Sequence, residues 1–270
     1  DAMKSEVEPR DGKSQPRTRL YIDAPLTANG GLALDGDRVH YLRNVLRLQT
    51  GAALRLFNGR DGEWRGRIAR LAKGAADIAV EARLREQAAE CDLWLAFAPI
   101  KRTRIDTLVE KATELGVAAL RPVVTQHTAV ERTNSERLRA IAISASEQSG
   151  RLSVPAVHEA VTLEKLLADW PANRHLLLCA EAGSARPIAE ALMSHSSKDL
   201  AAPWAVMIGP EGGFAPGELD GLMKLPFVSA VGLGPRILRA DTAALAALAC
   251  WQAMLGDGRS RPPRRVSPQL

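Results

Sequence analysis

Ile208-Gly209-Pro210-Glu211-Gly212-Gly213-Phe214 and, a short way downstream, Leu233-Gly234-Pro235-Arg236-Ile237-Leu238-Arg239-Ala240-Asp241-Thr242-Ala243 decide how this chain is read. Each stretch follows a short apolar run that reads as a buried strand, Ala205 to Ile208 and Val228 to Leu233. Each opens into a helical pattern, from Pro216 and from Asp241. Strand, loop and helix in that order are the unit of a parallel sheet. Loops at the ends of adjacent parallel strands are where open α/β proteins bind ligands, and glycine lets a backbone approach a ligand closely. Two phosphate-binding patterns are absent. No Gly-Lys-Ser/Thr follows the first loop, and Gly232-Leu233-Gly234 is not completed by a third glycine. A kinase or nucleotide-dependent oxidoreductase therefore has no phosphate loop here. Two readings of the first loop stand on the residues alone: a cofactor wall, or a tight turn without a ligand. Arg236 and Arg239 likewise read either as bidentate donors to phosphate or a base carbonyl, or as surface partners of Asp241 and Glu211.

Working backwards, the strand–helix alternation extends to Leu93. Leu93 to Ala98, Val117 to Val124 and Leu176 to Ala180 read as strands, and Arg104 to Leu115, Ser135 to Gln148 and Leu163 to Trp170 as helices. On the first helix Ile105, Leu108, Val109, Ala112 and Leu115 share one face, and Gly116 stands where a C-cap belongs. The expected product is a parallel sheet covered on both faces. Before about Gln87 to Cys91 the pattern changes. Short alternating strands from Arg19 to Arg85 are punctuated by Asn29-Gly30-Gly31, Asn58-Gly59 and Lys73-Gly74, as in a small β-barrel or sandwich. One helix interrupts them, with Val39, Leu42, Val45 and Leu46 at helical spacing.

The chain has 270 residues, 46% of them hydrophobic, which is enough for a sizeable core over most of the length. The net charge of +5 leans towards a polyanionic partner. Eight arginines against only Asp61 and Glu63 between residues 38 and 70 place that lean on the β-domain. Such a face tracks an RNA backbone or is simply solvated, and Trp64 and Phe57 either stack on bases or sit in the core. Cys91, Cys179 and Cys250 are scattered, as expected in a reducing cytoplasm, and no metal-ligand spacing appears among cysteines and histidines. No apolar run is long enough for a membrane span, and no signal peptide is evident. Glu110, Lys111 and Glu114 read as solvated helix charges.

Several motifs, in order, resemble one family. His40 with Val45-Leu46-Arg47, Glu110 to Val117, Ala145 to Arg151 with Pro155, Ile208 to Phe214 and Leu233 to Ala243 are similar to the RsmE family, the 16S ribosomal RNA uridine-N3 methyltransferases of the knotted SPOUT superfamily. The match runs from about Arg19 to Gly256. Two departures stand out: Thr125-Gln126-His127-Thr128 replaces the family's Glu-Arg-Ser, and Asp241 replaces a Glu.

The resemblance implies an α/β fold with a C-terminal SPOUT domain whose last segment makes a deep trefoil knot, preceded by a small PUA-like β-barrel. The implied organisation is a disordered tail (1–16), the PUA-like RNA-binding domain (17–88), the methyltransferase domain (89–257) and a disordered basic tail (258–270). The implied cofactor is S-adenosylmethionine, held by Cys179, Glu181, Gly183, Gly209, Pro210, Glu211, Gly212, Gly213, Leu233, Gly234, Ile237, Leu238, Thr242 and Ala243. Arg236 and Arg239 are the expected substrate-positioning and charge-stabilising residues, and Glu211 the candidate proton acceptor. Arg38, Arg43, Arg47, Arg65, Arg67 and Arg151 are the expected RNA contacts. The expected partners are 16S ribosomal RNA in the assembled small subunit and a second copy of the chain, in the cytoplasm, with no membrane and no metal. The rival expectation is a non-catalytic RNA-binding ribosome-assembly factor that keeps the fold.

Overall fold

The computed structural model describes residues 16, 18–130, 132–180, 185–195 and 202–260; of Arg102, only the backbone is described. Most of the two predicted tails, together with Glu181 and Gly183, lies outside them.

Five strands form the N-terminal sheet: β1 (Arg19–Tyr21), β2 (Gly31–Asp35), β3 (Ala53–Phe57), β4 (Glu63–Leu71) and β5 (Ala75–Arg85). Their order is β1-β3-β4-β5-β2, antiparallel except for the β1–β3 pair. The alternation read from the sequence does the work: Leu20, Leu32, Leu34, Leu54, Leu56, Ile68, Ile78 and Val80 all point into one core. The edge strands β1 and β2 are not hydrogen-bonded to each other among the described residues. The predicted single helix is two pieces, α1 (Gly36–His40) and a π-helical turn over Tyr41–Val45. Leu46 N donates to Tyr41 O across that turn at 2.9 Å. The wider turn swings Val45 off the buried face, leaving it 59% exposed, while Val39 and Leu42 stay buried. Phe57 is fully buried beneath the Arg19 guanidinium at 4.3 Å, so it belongs to the core and cannot stack on a base.

The second sheet is parallel throughout. It comprises β6 (Leu93–Phe97), β7 (Ala119–Val124), β8 (Ala156–Val157), β9 (Val161–Thr162), β10 (His175–Cys179), β11 (Arg186–Pro187), β12 (Trp204–Ile208) and β13 (Val228–Gly232). The order is β11-β13-β10-β12-β6-β7-β8, with β9 paired to β7. The central strands are apolar on both sides because helices cover both faces. Leu177, Val206 and Ile208 face a core shared with α2 (Arg102–Glu114), α3 (Ser135–Ser149), α5 (Ile188–Met193) and α7 (Ala240–Met254). Leu176, Leu178, Ala205 and Met207 face α4 (Leu163–Ala168) and α6 (Pro216–Met223). Gly116 ends α2 in the left-handed region, φ +83°. A Cβ there would stand 2.7 Å from Gln252 Nε2, which in turn donates to Leu115 O. The predicted C-cap is therefore also the point where α7 locks onto α2.

The two sheets meet at the C-terminal end of α3. Arg19 donates to Glu63 Oε1 (2.7 Å), Ser146 O (2.6 Å) and Glu147 O (3.0 Å), and Arg85 donates to Gly150 O (2.9 Å). Cations on the open carbonyls of a helix end satisfy both the hydrogen bonds and the dipole. The Glu147 carboxylate accepts from Tyr21 N at 2.9 Å, and its burial pushes its pKa upward. The motif from Ala145 to Arg151 is thus a domain junction.

Candidate active site

Strands β13, β10 and β12 are neighbours in the sheet, so the loops at their C-terminal ends converge. They enclose a cleft of about 670 Å³. Its walls include Cys179 from β10, Gly209, Pro210, Glu211 and Gly213 after β12, and Leu233, Gly234, Ile237, Leu238 and Ala243 around the second loop. Arg236 and Arg239 line its edge. Ten of the fourteen residues expected to hold the cofactor therefore share one cavity. Gly212 turns away towards His127, and Thr242 is on the exposed side of α7. Pro210 O accepts from Gly213 N at 2.9 Å, closing a turn in which Gly213 has φ +69°. That left-handed conformation is the reason for glycine there.

Sequence reasoning missed the organising charge of the site. Arg104, in the first turn of α2, donates to Asp241 through Nη2 (2.5 Å) and Nε (3.1 Å), and to Glu211 through Nη1 (2.9 Å). One guanidinium ties the two loops together. The hydrogen bond from Arg104 holds the Asp241 carboxyl below the usual carboxylate range. The signal was present as an arginine at a helix start with unassigned carboxylates elsewhere, but only the tertiary fold pairs them. Arg236 and Arg239 therefore do not pair with Asp241 and Glu211. Both are exposed and make no ion pair among the described residues. Glu211, held by Arg104, anchors its loop. The structure therefore gives Glu211 a loop-anchoring part beside the proton-acceptor part expected of it from the sequence. Burial pushes the Cys179 thiol up to about 12, so it lines the cleft as a neutral group.

One segment, the turn after β7, reaches the glycine loop and the start of α6 from outside. His127 Nδ1 lies 3.2 Å from both Gly212 O and Gly213 O. Gln126 N donates to Glu218 Oε1 at 2.8 Å. The residues that depart from the family pattern therefore brace the loop without filling the cleft.

The expected RNA contacts divide. Arg43 and Arg47 are exposed on and just beyond the π-helical turn, Arg47 with φ +52°. Arg38 and Arg65 are half-buried on the same domain, and Arg67 is paired with Glu81 at 2.6 Å. Arg151 is a correction. Its side chain is only 8% exposed, and it donates to Thr113 O (2.8 Å), Val117 O (2.9 Å) and Glu90. With its donors spent inside the protein, Arg151 holds the α2–β7 turn and is unavailable to RNA. Trp64 is half-buried, with Nε1 donating to Asp61 O at 2.8 Å. Lys111 bridges Glu110 (2.7 Å) and Glu114 (2.8 Å) on the partly solvated face of α2, as expected. Among the described residues no three His, Cys, Asp or Glu side chains group as a metal site. Among them, too, no helix is long and apolar enough to cross a membrane.

Residues 87–252 match the family model described as an RNA methyltransferase domain, and residues 34–81 the RNA methyltransferase PUA domain. The chain is 35% identical over 237 residues to the ribosomal RNA small subunit methyltransferase E of Rickettsia conorii, covering 86% of this chain and 93% of the relative. It is 30% identical over 239 residues to the Synechocystis protein of the same name, covering 88% and 78%. A crystal structure of ribosomal RNA small subunit methyltransferase E from Neisseria gonorrhoeae, bound to S-adenosyl methionine, superposes with a TM-score of 0.77 at 29% identity. That match covers 89% of this chain and 98% of the other.

Proposed function

The chain belongs to the ribosomal RNA small subunit methyltransferase E family, and on that premise we propose that it methylates N3 of a uridine in 16S ribosomal RNA with S-adenosylmethionine. The carrying observation is the single cleft formed by the loops after three adjacent strands. Its size suits a cofactor of that class. Its walls also suit it: glycine backbone at Gly209, Gly213 and Gly234, and apolar surface from Leu233, Leu238 and Ala243. Arg104 offsets one of the two charges of Glu211 and Asp241, and the residual negative charge suits the cationic sulfonium of the cofactor.

The cofactor supplies a methyl group already activated by its sulfonium, and no metal is required. What remains for the protein is alignment and a nucleophilic N3. The N3 proton passes to water, the negative charge left on the ring spreads to the flanking carbonyl oxygens, and N3 would then take the methyl as the carbon–sulfur bond breaks, leaving the neutral thioether S-adenosylhomocysteine. Arg236 and Arg239, at the cleft edge and uncommitted to Asp241 or Glu211, carry donors suited to those oxygens. Because N3 lies on the pairing edge, the uridine must be unpaired or flipped out. Arg38, Arg43, Arg47 and Arg65 hold the RNA backbone from the N-terminal domain.

The same proposal includes a decoding-region uridine, the assembled small subunit as substrate, a homodimer, a cytoplasmic setting and a knotted α7. Ile237, 86% exposed beside the cleft, supports a partner chain at that edge. The assembly-factor alternative is not favoured, because the cleft is intact and the relatives are methyltransferases by name.

The test is methyl transfer from labelled S-adenosylmethionine to small subunits from a strain lacking this activity, with the product nucleoside identified by mass spectrometry. N3-methyluridine at one position is expected. Cofactor binding without transfer to any small-subunit particle would count against the substrate, and no cofactor binding against the whole reading.

A further inference from the structure

Arg104 fixes the first part of the glycine loop through Glu211, and the Gly212 and Gly213 carbonyls are met by His127. His127 follows β7 in a tight turn. There Thr128 N donates to Thr125 O (3.0 Å), and the Thr128 hydroxyl accepts from Thr125 N (2.8 Å). The turn aims the imidazole at the loop. Nδ1 is 3.2 Å from Gly212 O and 3.2 Å from Gly213 O. A backbone carbonyl can only accept, so Nδ1 carries the hydrogen whether the ring is neutral or charged. The contact is close on the carbon side too: a Cβ on Gly212 would stand 3.3 Å from His127 Cβ. One residue earlier, Gln126 N donates to Glu218 Oε1 (2.8 Å), while Glu218 Oε2 accepts from Ala215 N (2.9 Å) at the start of α6. The 125–128 turn thus grips the loop at its glycines and at its exit into α6.

We propose that His127 is a positioning residue for the cofactor site. By donating from Nδ1 to the Gly212 and Gly213 carbonyls it fixes the peptide that precedes Phe214 and keeps Gly213 in the cleft wall. The assignment rests on reading the cleft as the S-adenosylmethionine site. Two variants separate the hydrogen bond from the bulk of the ring. His127→Asn puts an amide N–H near the place of Nδ1, whereas His127→Phe keeps a ring and removes the donor. Two readouts are needed: hydrogen–deuterium exchange of the 209–215 amides in the free protein, and S-adenosylmethionine affinity by calorimetry.

Losing one such hydrogen bond is worth about 5–10-fold. His127→Phe is expected to speed loop exchange and weaken cofactor affinity by about that factor. Turnover at saturating cofactor should change less than about two-fold, the mark of a binding effect made equally in ground and transition states. His127→Asn should restore both exchange and affinity towards wild type. Unchanged exchange in His127→Phe, with the cofactor still bound normally, overturns the proposal and leaves the methyltransferase reading intact. So does failure of His127→Asn to recover either readout. A wild-type protein that does not bind S-adenosylmethionine overturns both.

Discussion

Glu211 and Arg236 lie within one cleft, yet their neighbours give them opposite parts. Glu211 is committed to Arg104 at 2.9 Å, and Arg236 is exposed and unpaired among the described residues. Glu211→Gln is therefore expected to weaken cofactor binding several-fold and leave the turnover rate, and its pH profile, near wild type. Arg236→Lys should do the reverse, because a single ammonium cannot reproduce a forked donor. Steady-state kinetics with cofactor titration decides between these patterns, and a large fall in turnover for Glu211→Gln would identify it as the base. The Asp241 pKa is depressed by its hydrogen bond from Arg104. A depressed carboxyl stabilises the fold fully above its unfolded value, about 4, and that contribution is lost as pH falls through the folded value. Thermal unfolding should accordingly weaken below about pH 4, and less steeply in Asp241→Asn. Much of the site was legible at this scale because glycines and arginines at strand exits are local signals. Arg104 was not, since its two carboxylates lie more than a hundred residues away along the chain.

At the scale of elements, α7 is held by more than its apolar face. Gln252 is buried, donating to Leu115 O (2.7 Å) and accepting from Asp257 N (3.0 Å). Gln252→Ala leaves both backbone groups without those partners and should cost about 2–4 kcal/mol, from two lost hydrogen bonds with partial desolvation. Urea unfolding measures it, and a loss under about 0.5 kcal/mol would show that α7 is held by packing alone. The long elements were readable for a simple reason. In β10 and β12 every residue is apolar or nearly so, and in α2 Ile105, Leu108, Val109 and Ala112 fall on one face. α5, six residues from Ile188 to Met193, escaped because it spans too few turns for a period to show. The strands β8, β9 and β11 have two residues each, so no alternation exists in them. The π-helical turn kept the apolar composition of a helix while changing its angular spacing, which is why Val45 pointed the wrong way in the sequence reading.

For the molecule as a whole, the weak point is the buried charge between the two sheets. Glu63 is fully buried and faces Arg19 (2.7 Å), Arg55 (3.5 Å) and Arg85 (3.9 Å). Burial lowers the pKa of Arg19 despite that carboxylate. Removing the acid that Arg19 contacts directly leaves the buried guanidinium facing only the more distant Glu147 carboxylate, at a cost of about 3–5 kcal/mol. Glu63→Gln should therefore lower the unfolding midpoint sharply, with the N-terminal sheet losing protection from exchange before the parallel sheet does. An unchanged midpoint would mean that the carbonyls of α3 suffice for Arg19. None of this junction was readable beforehand: Glu63 looked like one of two acids in a basic surface, and Arg151 like one more basic residue.

The placement of Arg19 also bears on how the protein is made. Its carbonyl partners belong to residues 146, 147 and 151, far along the chain. Synthesis proceeds at about 5–20 residues per second, so on the order of ten seconds separates β1 from its partners. During that interval the first sheet must remain provisional on the ribosome, with Arg19 still hydrated and Glu63 less than fully enclosed. The nascent N-terminal domain therefore reaches its final form only when α3 has been translated, before the loops after β10, β12 and β13 exist.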